Sequence, residues 1–326
     1  MSIAEVTSVN SKHFTVEQVA EGVYVAIATI DGGAVCNAGI IDLGDQLVIF
    51  DTFLTPQAAL DLRTAAEHLF GRAATCIINS HWHGDHVHGN AVFPPGIPIL
   101  ATGKTRELLA KFGMDDIIED RQHFSSALEA LEAKIAEEQD ETRRASLSAK
   151  LAADREYAAA LPSIEIRLPT QTFEERLTLH GSRRRAELLT FGGGHSESDA
   201  LLWLPEDRLA FLGDLLFVRL QPWLPGGNPE EWIDILQRVE TLDIATAVPG
   251  HGPVGTLADS AALRNYIDTL LNRIREAASS GQPWDDFKQT DMFHQMDPPA
   301  MARSWGNRSF FRRNVKFLYK RLTEPV

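Results

Sequence analysis

The chain has little cysteine: Cys36 and Cys76 are the two in 326 residues, and they form no Cys-x-x-Cys spacing. A fold built on a disulfide framework is thereby excluded, and the pattern suits a reducing compartment. Both thiols are read as small buried residues on strands, away from the histidine motifs along the chain. Long apolar runs are also missing, and none approaches the roughly 20 residues that a bilayer crossing needs. The opening, MSIAEVTSVNSKHF, has no basic start leading into an apolar stretch, so no signal peptide is expected. The expectation is a cytoplasmic protein with no membrane partner. Positive charge is scarce as well. With 31 Lys and Arg against 45 Asp and Glu, the net charge is -14, which argues against a broad nucleic-acid surface. No internal repeat or low-complexity tract is visible.

What is present is globular. Hydrophobic residues at 44% and charged residues at 23% are enough to build a core and argue against wholesale disorder. Gly22 to Ile30 and Ala34 to Asp51 read as antiparallel strands, with turns at Asp31-Gly32-Gly33 and Gly44-Asp45. Thr55 to Phe70 reads as a helix capped by Thr55, with Pro56 in its first turn and Gly71 ending it. Thr75 to Asn79 and Ile97 to Ala101 are short strands, and a helix begins near Lys104. After Pro162, strands are expected at Ile164 to Leu168, Glu175 to Leu179, Ala186 to Phe191, Ala200 to Leu204, Arg208 to Leu212 and Ala245 to Pro249. Helices follow at Pro229 to Thr241 and Asp259 to Ala278. Two β-rich halves, each broken by helices, suggest layered sheets with helices outside.

Residues 114–161 contain no glycine, and their first proline lies beyond them at Pro162. Phe124, Leu128, Leu131 and Ile135 keep helical spacing, as do Leu147 and Leu151, so a helical hairpin bending near Gln139 to Thr142 is expected. Its 12 acidic and 6 basic residues indicate a largely solvated surface. It reads as a packed insertion, with a lid over the site or a homodimer contact as the sharper alternatives. The expected organisation is a single domain over residues 1–326, with this insertion at 114–161 and a helical extension at 258–326. In that extension Phe311, Val315, Leu318, Tyr319 and Leu322 share one helical face. The basic stretch Arg308 to Arg321 reads as the solvated side of that helix, with anion binding as the alternative.

The chemistry concentrates in Ile78-Asn79-Ser80-His81-Trp82-His83-Gly84-Asp85-His86-Val87-His88-Gly89-Asn90. On an extended chain His81 and His83 project to one side, and Gly84 lets the backbone turn Asp85 and His86 toward the same cavity. Three imidazoles and a carboxylate this close are costly to bury without a cation and are good ligands with one. Histidine with carboxylate favours zinc, with iron or manganese as alternatives. His195 follows a strand and Gly192-Gly193-Gly194. Asp214 ends Phe211-Leu212-Gly213, and His251 lies in Val248-Pro249-Gly250-His251-Gly252. Each is a ligand type at a strand end beside glycine, where functional loops gather. Taken singly, His195 and His251 would read as structural histidines and Asp214 as a helix cap.

Together these motifs resemble the metallo-β-lactamase-fold superfamily over roughly residues 20 to 255. His81, His83, Asp85 and His86 match its His-x-His-x-Asp-His motif, and His195, Asp214 and His251 match its later ligands in order. The resemblance implies an α+β, four-layer αβ/βα sandwich with metals between two sheets. It also implies two zinc ions: one on His81, His83 and His195, the other on Asp85, His86 and His251, with Asp214 bridging. Asp51, in Val48-Ile49-Phe50-Asp51-Thr52, matches the early aspartate that supports the ligands from behind. His88 lies outside the ligand positions and reads as a supporting or packing residue. Phe217 and Trp223 are candidates for the wall of a substrate pocket, with core packing the equal alternative.

The implied reaction is hydrolysis by a metal-bridging hydroxide, with Asp85 orienting it and passing a proton to the leaving group. Antibiotic-hydrolysing members commonly carry cysteine or serine where this chain has Asp214, so weak side activity on β-lactams is the most expected there. Thioesterase and lactonase members carry the aspartate, which points to a small ester, thioester or lactone as substrate. The alternatives within the same resemblance are a mono-iron persulfide dioxygenase and a phosphodiesterase or nuclease. The acidic balance and the missing nucleic-acid module weigh against the last.

Overall fold

Capped helices alternate with short apolar strands in a computed structural model that describes residues 11–30, 32–295 and 308–323. Asp31 of the expected first turn, and most of the N-terminal segment read for a leader, lie outside the described residues. The chain divides into two compact units. The first runs up to Glu174 and includes Thr178–Ala186; the second comprises Glu175–Leu177 and the chain from Glu187 onward.

In the first unit, β1 (Phe14–Ala20), β2 (Val23–Ala28), β3 (Ala38–Asp42) and β4 (Leu47–Phe50) pair antiparallel in succession. Then come α1 (Pro56–Phe70), β5 (Cys76–Ile78), α2 (Gly84–Val87), β6 (Ile99–Thr102), α3 (Gly103–Glu137), α4 (Glu141–Ala160) and β7 (Gln171–Phe173). Strands β4 to β7 are parallel, giving a seven-stranded sheet in chain order. Every residue of β3 and β4 is buried, which explains their apolar sequence up to Asp42, the charged last residue of β3. On one side Ala58, Leu62, Ala65 and Ala66 of α1 join the core of Ile40, Ile49, Ile77 and Ile99. Each large aliphatic side chain buried there contributes about 1.5–3 kcal/mol. Helix α1 begins and ends as its sequence directs: Thr55 accepts from the Ala58 N–H, and Gly71 takes the left-handed conformation at φ 63°.

One expected strand is absent, and two elements extend beyond what was expected. Ile164 to Leu168 is not a strand. Arg167 instead donates to the carbonyls of Phe93, Pro94, Pro95 and Ile97, and its own carbonyl accepts from Asn90; the strand is β7, further on. The helix expected from near Lys104 and the first arm of the hairpin are one element, since α3 runs unbroken from Gly103 to Glu137. The bend comes where Asp140 caps α4 through the Arg143 N–H. Strand β1 adds to the expected strands; it is mostly solvent-facing and so carries little apolar alternation.

The second sheet has the order β12-β11-β10-β9-β8, from β8 (Arg176–His180), β9 (Arg185–Thr190), β10 (Ala200–Leu204), β11 (Leu209–Phe211) and β12 (Thr246–Val248). The second unit adds α5 (Pro229–Val239), α6 (Leu257–Ser279), α7 (Trp284–Phe287), α8 (Asp291–Gln295) and α9 (Arg308–Thr323). Trp232, Ile235 and Leu236 of α5 pack with Leu263, Ile267 and Leu270 of α6 and with Phe311, Val315 and Leu318 of α9. Leu322 does not share that burial and is 37% exposed, so the apolar face of α9 ends a turn earlier than expected. Helix α9 reaches the loop before α5 through buried Asn314, which accepts from Leu224 N–H and donates to the Pro222 carbonyl.

Candidate metal centre

The first unit gathers His81, His83, Asp85 and His86 behind β5. The chain bends over residues 80–83, with His83 itself at extended dihedrals ahead of the short α2 that carries Asp85 and His86. The alternation expected of an extended chain is therefore not what brings the histidines together; the bends are. His81 Nε2 and His83 Nδ1 lie 3.0 Å apart, and the His81 and His86 rings are 4.2 Å apart. His83 is half-buried and the Asp85 side chain 20% exposed, whereas His81 and His86 are fully buried.

Asp51 organises this group. It ends β4 in the left-handed region at φ 61°, a conformation that costs a non-glycine residue on the order of 1–3 kcal/mol. That turn lets its carboxylate accept from Ser80 N–H (2.8 Å), Ser80 Oγ (2.7 Å) and His86 Nδ1 (2.8 Å). Burial pushes the Asp51 carboxyl up, and His86 and Ser80 pull it back. Because a carboxylate only accepts, His86 carries its proton on Nδ1 and presents Nε2 as a lone pair. Ser80 Oγ has given its hydrogen to Asp51, so it accepts from His81 Nδ1 at 2.9 Å, and His81 likewise presents Nε2. The His86 carbonyl is held by Thr52 N–H and by Asn79, and Asn79 and Asn90 exchange side-chain hydrogen bonds at 3.0 and 2.9 Å. A Cβ on Gly89 would lie 1.9 Å from the Thr52 carbonyl oxygen, so only glycine permits this approach.

His88 packs behind the loop. It is buried, and that burial lowers its pKa to about 4, which keeps it neutral. A Cβ on Gly84 would lie 2.4 Å from its ring.

The second unit gathers the other three candidates. Asp214 sits between two histidines, with Oδ2 3.2 Å from His195 Nε2 and Oδ1 3.2 Å from His251 Nε2. His195 leaves its glycine run in a turn held by Asp199, which accepts from the N–H groups of Gly194, His195 and Ser196 and from Ser196 Oγ. Burial raises the Asp199 carboxyl to about 6 against these hydrogen bonds. His195 Nδ1 faces the Trp223 carbonyl at 3.1 Å. A carbonyl can only accept, so the proton again sits on Nδ1 and Nε2 faces Asp214. Gly250 is fixed by space, since a Cβ there would lie 2.0 Å from Asp214 Oδ1.

Phe217 is buried and stacks on the His251 ring at 5.0 Å and 12°; it packs against a candidate ligand. The Trp223 ring packs on Phe310. The contribution of Trp223 to the second group comes from its carbonyl, which no side-chain pattern announces. Ser80, Asn90, Thr52 and Asp199 are likewise absent from the sequence expectations, because their partners are distant in sequence or lie on backbone. The strand reading holds for Cys76, on β5, but Cys36 lies in a bend and its thiol donates to the Asp85 carbonyl at 2.8 Å.

The donor sets suit divalent cations. Tetrahedral zinc, with bonds of about 2.0–2.1 Å, places its nitrogen and oxygen ligands roughly 3.3 Å from one another. The spacings of 3.0 and 3.2 Å within each group are of that size. Imidazoles whose far nitrogens are anchored, as those of His81, His86 and His195 are, together with carboxylates, are the chemistry such ions select.

Comparisons with known proteins agree with this picture. A family model described as the metallo-beta-lactamase superfamily matches residues 31–251. A Caenorhabditis elegans protein named beta-lactamase-like protein 2 homolog is 27% identical over 133 residues, covering 40% of this chain and 42% of that protein. The chain thus matches less than half of that relative's length. Among solved structures, DIM-1 metallo-beta-lactamase aligns at TM-score 0.56 and 16% identity, over 79% of this chain and 98% of that one. A metallo-beta-lactamase from Pontibacter korlensis aligns at TM-score 0.55 and 18% identity, over 77% and 99%. At such identities the likeness is one of fold: two sheets with helices in a mixed α/β chain.

Proposed function

Since the chain belongs to the metallo-beta-lactamase superfamily, whose membership supports a metal-dependent hydrolase, we propose that its two donor groups serve one pair of divalent cations and that its substrate is a small ester, thioester or lactone. In this reading His81, His83 and His195 hold one ion, Asp85, His86 and His251 hold the other, and Asp214 bridges. The family match runs through both groups. When bound, such ions would lower the pKa of water toward about 7 and polarise the acyl oxygen. Zinc is the first choice for the donor set, with iron or manganese as alternatives.

The chain's own residues do the rest. Asp51 and Ser80 keep the Nδ1 protons of His86 and His81 in place, and the Trp223 carbonyl does so for His195, so ligand nitrogens are presented without rearrangement. In this reading Asp85, partly exposed at the start of α2, would take a proton from water and return it to the leaving group. The observation that carries the reading against a dedicated β-lactamase is Asp214, whose two oxygens each face a different histidine. A single-atom thiolate or hydroxyl at that position would not span them.

A substrate panel tests the reading: a thioester, a lactone, nitrocefin and bis-(p-nitrophenyl)phosphate, each with zinc-loaded protein. Turnover of the thioester or lactone well above the other two is expected. Cleavage of the phosphodiester alone would place the chain with the nucleases instead. Among the described residues no helix is long and apolar enough to cross a membrane, and a cytoplasmic location remains part of the proposal.

A further inference from the structure

The bend that carries Cys36 is held on several sides. Asn37 Oδ1 accepts from Ala28 N–H at 3.1 Å, Leu54 N–H donates to the Ala34 carbonyl at 3.1 Å, and Cys36 N–H turns back to the same carbonyl at 3.0 Å. Val35, a β-branched residue, sits at φ 70°, where such residues rarely go. This fixed and strained turn delivers a buried sulfur beside Asp85 and His86. Ligand atoms of Cys36, Asp85 and His86 all lie within 4.8 Å of one another. A zinc ion with Zn–S of about 2.3 Å and Zn–O or Zn–N of about 2.0–2.1 Å would need them roughly 3.5 Å apart. Closing the separations by at most about 1.3 Å therefore completes the set.

We propose that Cys36 is a sulfur ligand to the cation held by Asp85 and His86. The inference rests on the metal-centre reading above and extends it. Binding breaks the S–H bond, forms a sulfur–metal bond and releases one proton to solvent, as coordinated thiols do. A nitrogen, oxygen and sulfur set favours zinc, cobalt or cadmium over manganese, magnesium or calcium. It would set the metal preference of this site, which histidine and aspartate alone leave broad.

Cobalt(II) reads the bond directly, because a thiolate ligand adds a near-ultraviolet charge-transfer band. Metal-free full-length protein is titrated with cobalt, and both the bound cobalt and the spectrum are measured for wild type, Cys36→Ser and Cys76→Ser. The band is expected in wild type and Cys76→Ser, with loss of it in Cys36→Ser. If Cys36→Ser does not fold, Cys76→Ser decides alone, since it leaves Cys36 as the chain's one thiol. Cobalt bound by wild type without the band overturns the sulfur ligand while the metal centre stands. No cobalt bound at all overturns both.

Discussion

His86 Nδ1 and Asp51 Oδ2 lie 2.8 Å apart, and both side chains are fully buried. One carboxylate thereby orients His86 directly and His81 through Ser80, so two ligand nitrogens depend on a residue that need not touch a metal. Asp51→Asn leaves an acceptor for one donor, but its amide NH₂ faces groups that must themselves donate. A loss of metal affinity of about 10–100-fold is expected, in the range found for orienting partners of metal-bound histidines. Competition with a chromophoric chelator measures it. Unchanged affinity would mean that Asp51 serves the fold alone.

Gly250 gives a second, independent handle, on the other group. Its missing Cβ is the space that Asp214 Oδ1 occupies, 2.0 Å from where the atom would be. Gly250→Ala should displace the carboxylate, together with the backbone at Gly213 and Asp214 that lies 2.8 and 2.9 Å from the added atom, and lower metal content per chain, with circular dichroism reporting whether the fold survives. Full metal content in a folded variant would count against Asp214 as a ligand.

Helices α3 and α4 allow the hairpin to be shortened without losing its base. Ile117, Leu161 and Ile164 pack with Phe124 and Tyr157, and all of them lie outside Ser125 to Leu151. Replacing that stretch with a short Gly-Ser turn should spare metal content and change KM for the best substrate of the panel by several-fold. Identical kinetics would refute a lid, and a change in mass by light scattering would point to a dimer contact.

Much of this site is legible in the amino-acid sequence. The His81 to His86 spacing, the glycine-flanked His195, Asp214 and His251, and the Thr55, Pro56 and Gly71 signals of α1 are all local patterns with a local cause. What the sequence hides depends on distance along the chain. Ser80 reaches Asp51 across 29 residues, Asn90 reaches Arg167 across 77, and His195 reaches a backbone carbonyl at Trp223. Ile164 to Leu168 has the apolar alternation of a strand, but the side chain of Arg167, satisfying a loop's carbonyls, takes the chain elsewhere. Cys36 gives no signal of its role because it lies far in sequence from the histidines it adjoins.

Cys76 carries a pH dependence with a definite sign. Its burial raises the thiol pKa from 9.0 to about 12. A folded-state pKa above the unfolded one gives stability that is complete below 9.0 and is lost as pH rises toward 12. Comparing urea midpoints of wild type and Cys76→Ala cancels the other groups that titrate in that range. The advantage of wild type should shrink above 9.0, and a constant difference would show that the thiol ionises alike in both states.

The most direct test is the metal content of gently purified protein, by elemental analysis, for wild type, His81→Ala and Asp214→Ala. Two zinc ions per wild-type chain are expected, with a clear loss in each variant, because each variant lacks one residue of a donor group. A single iron per chain, or zinc that survives both substitutions, would contradict it.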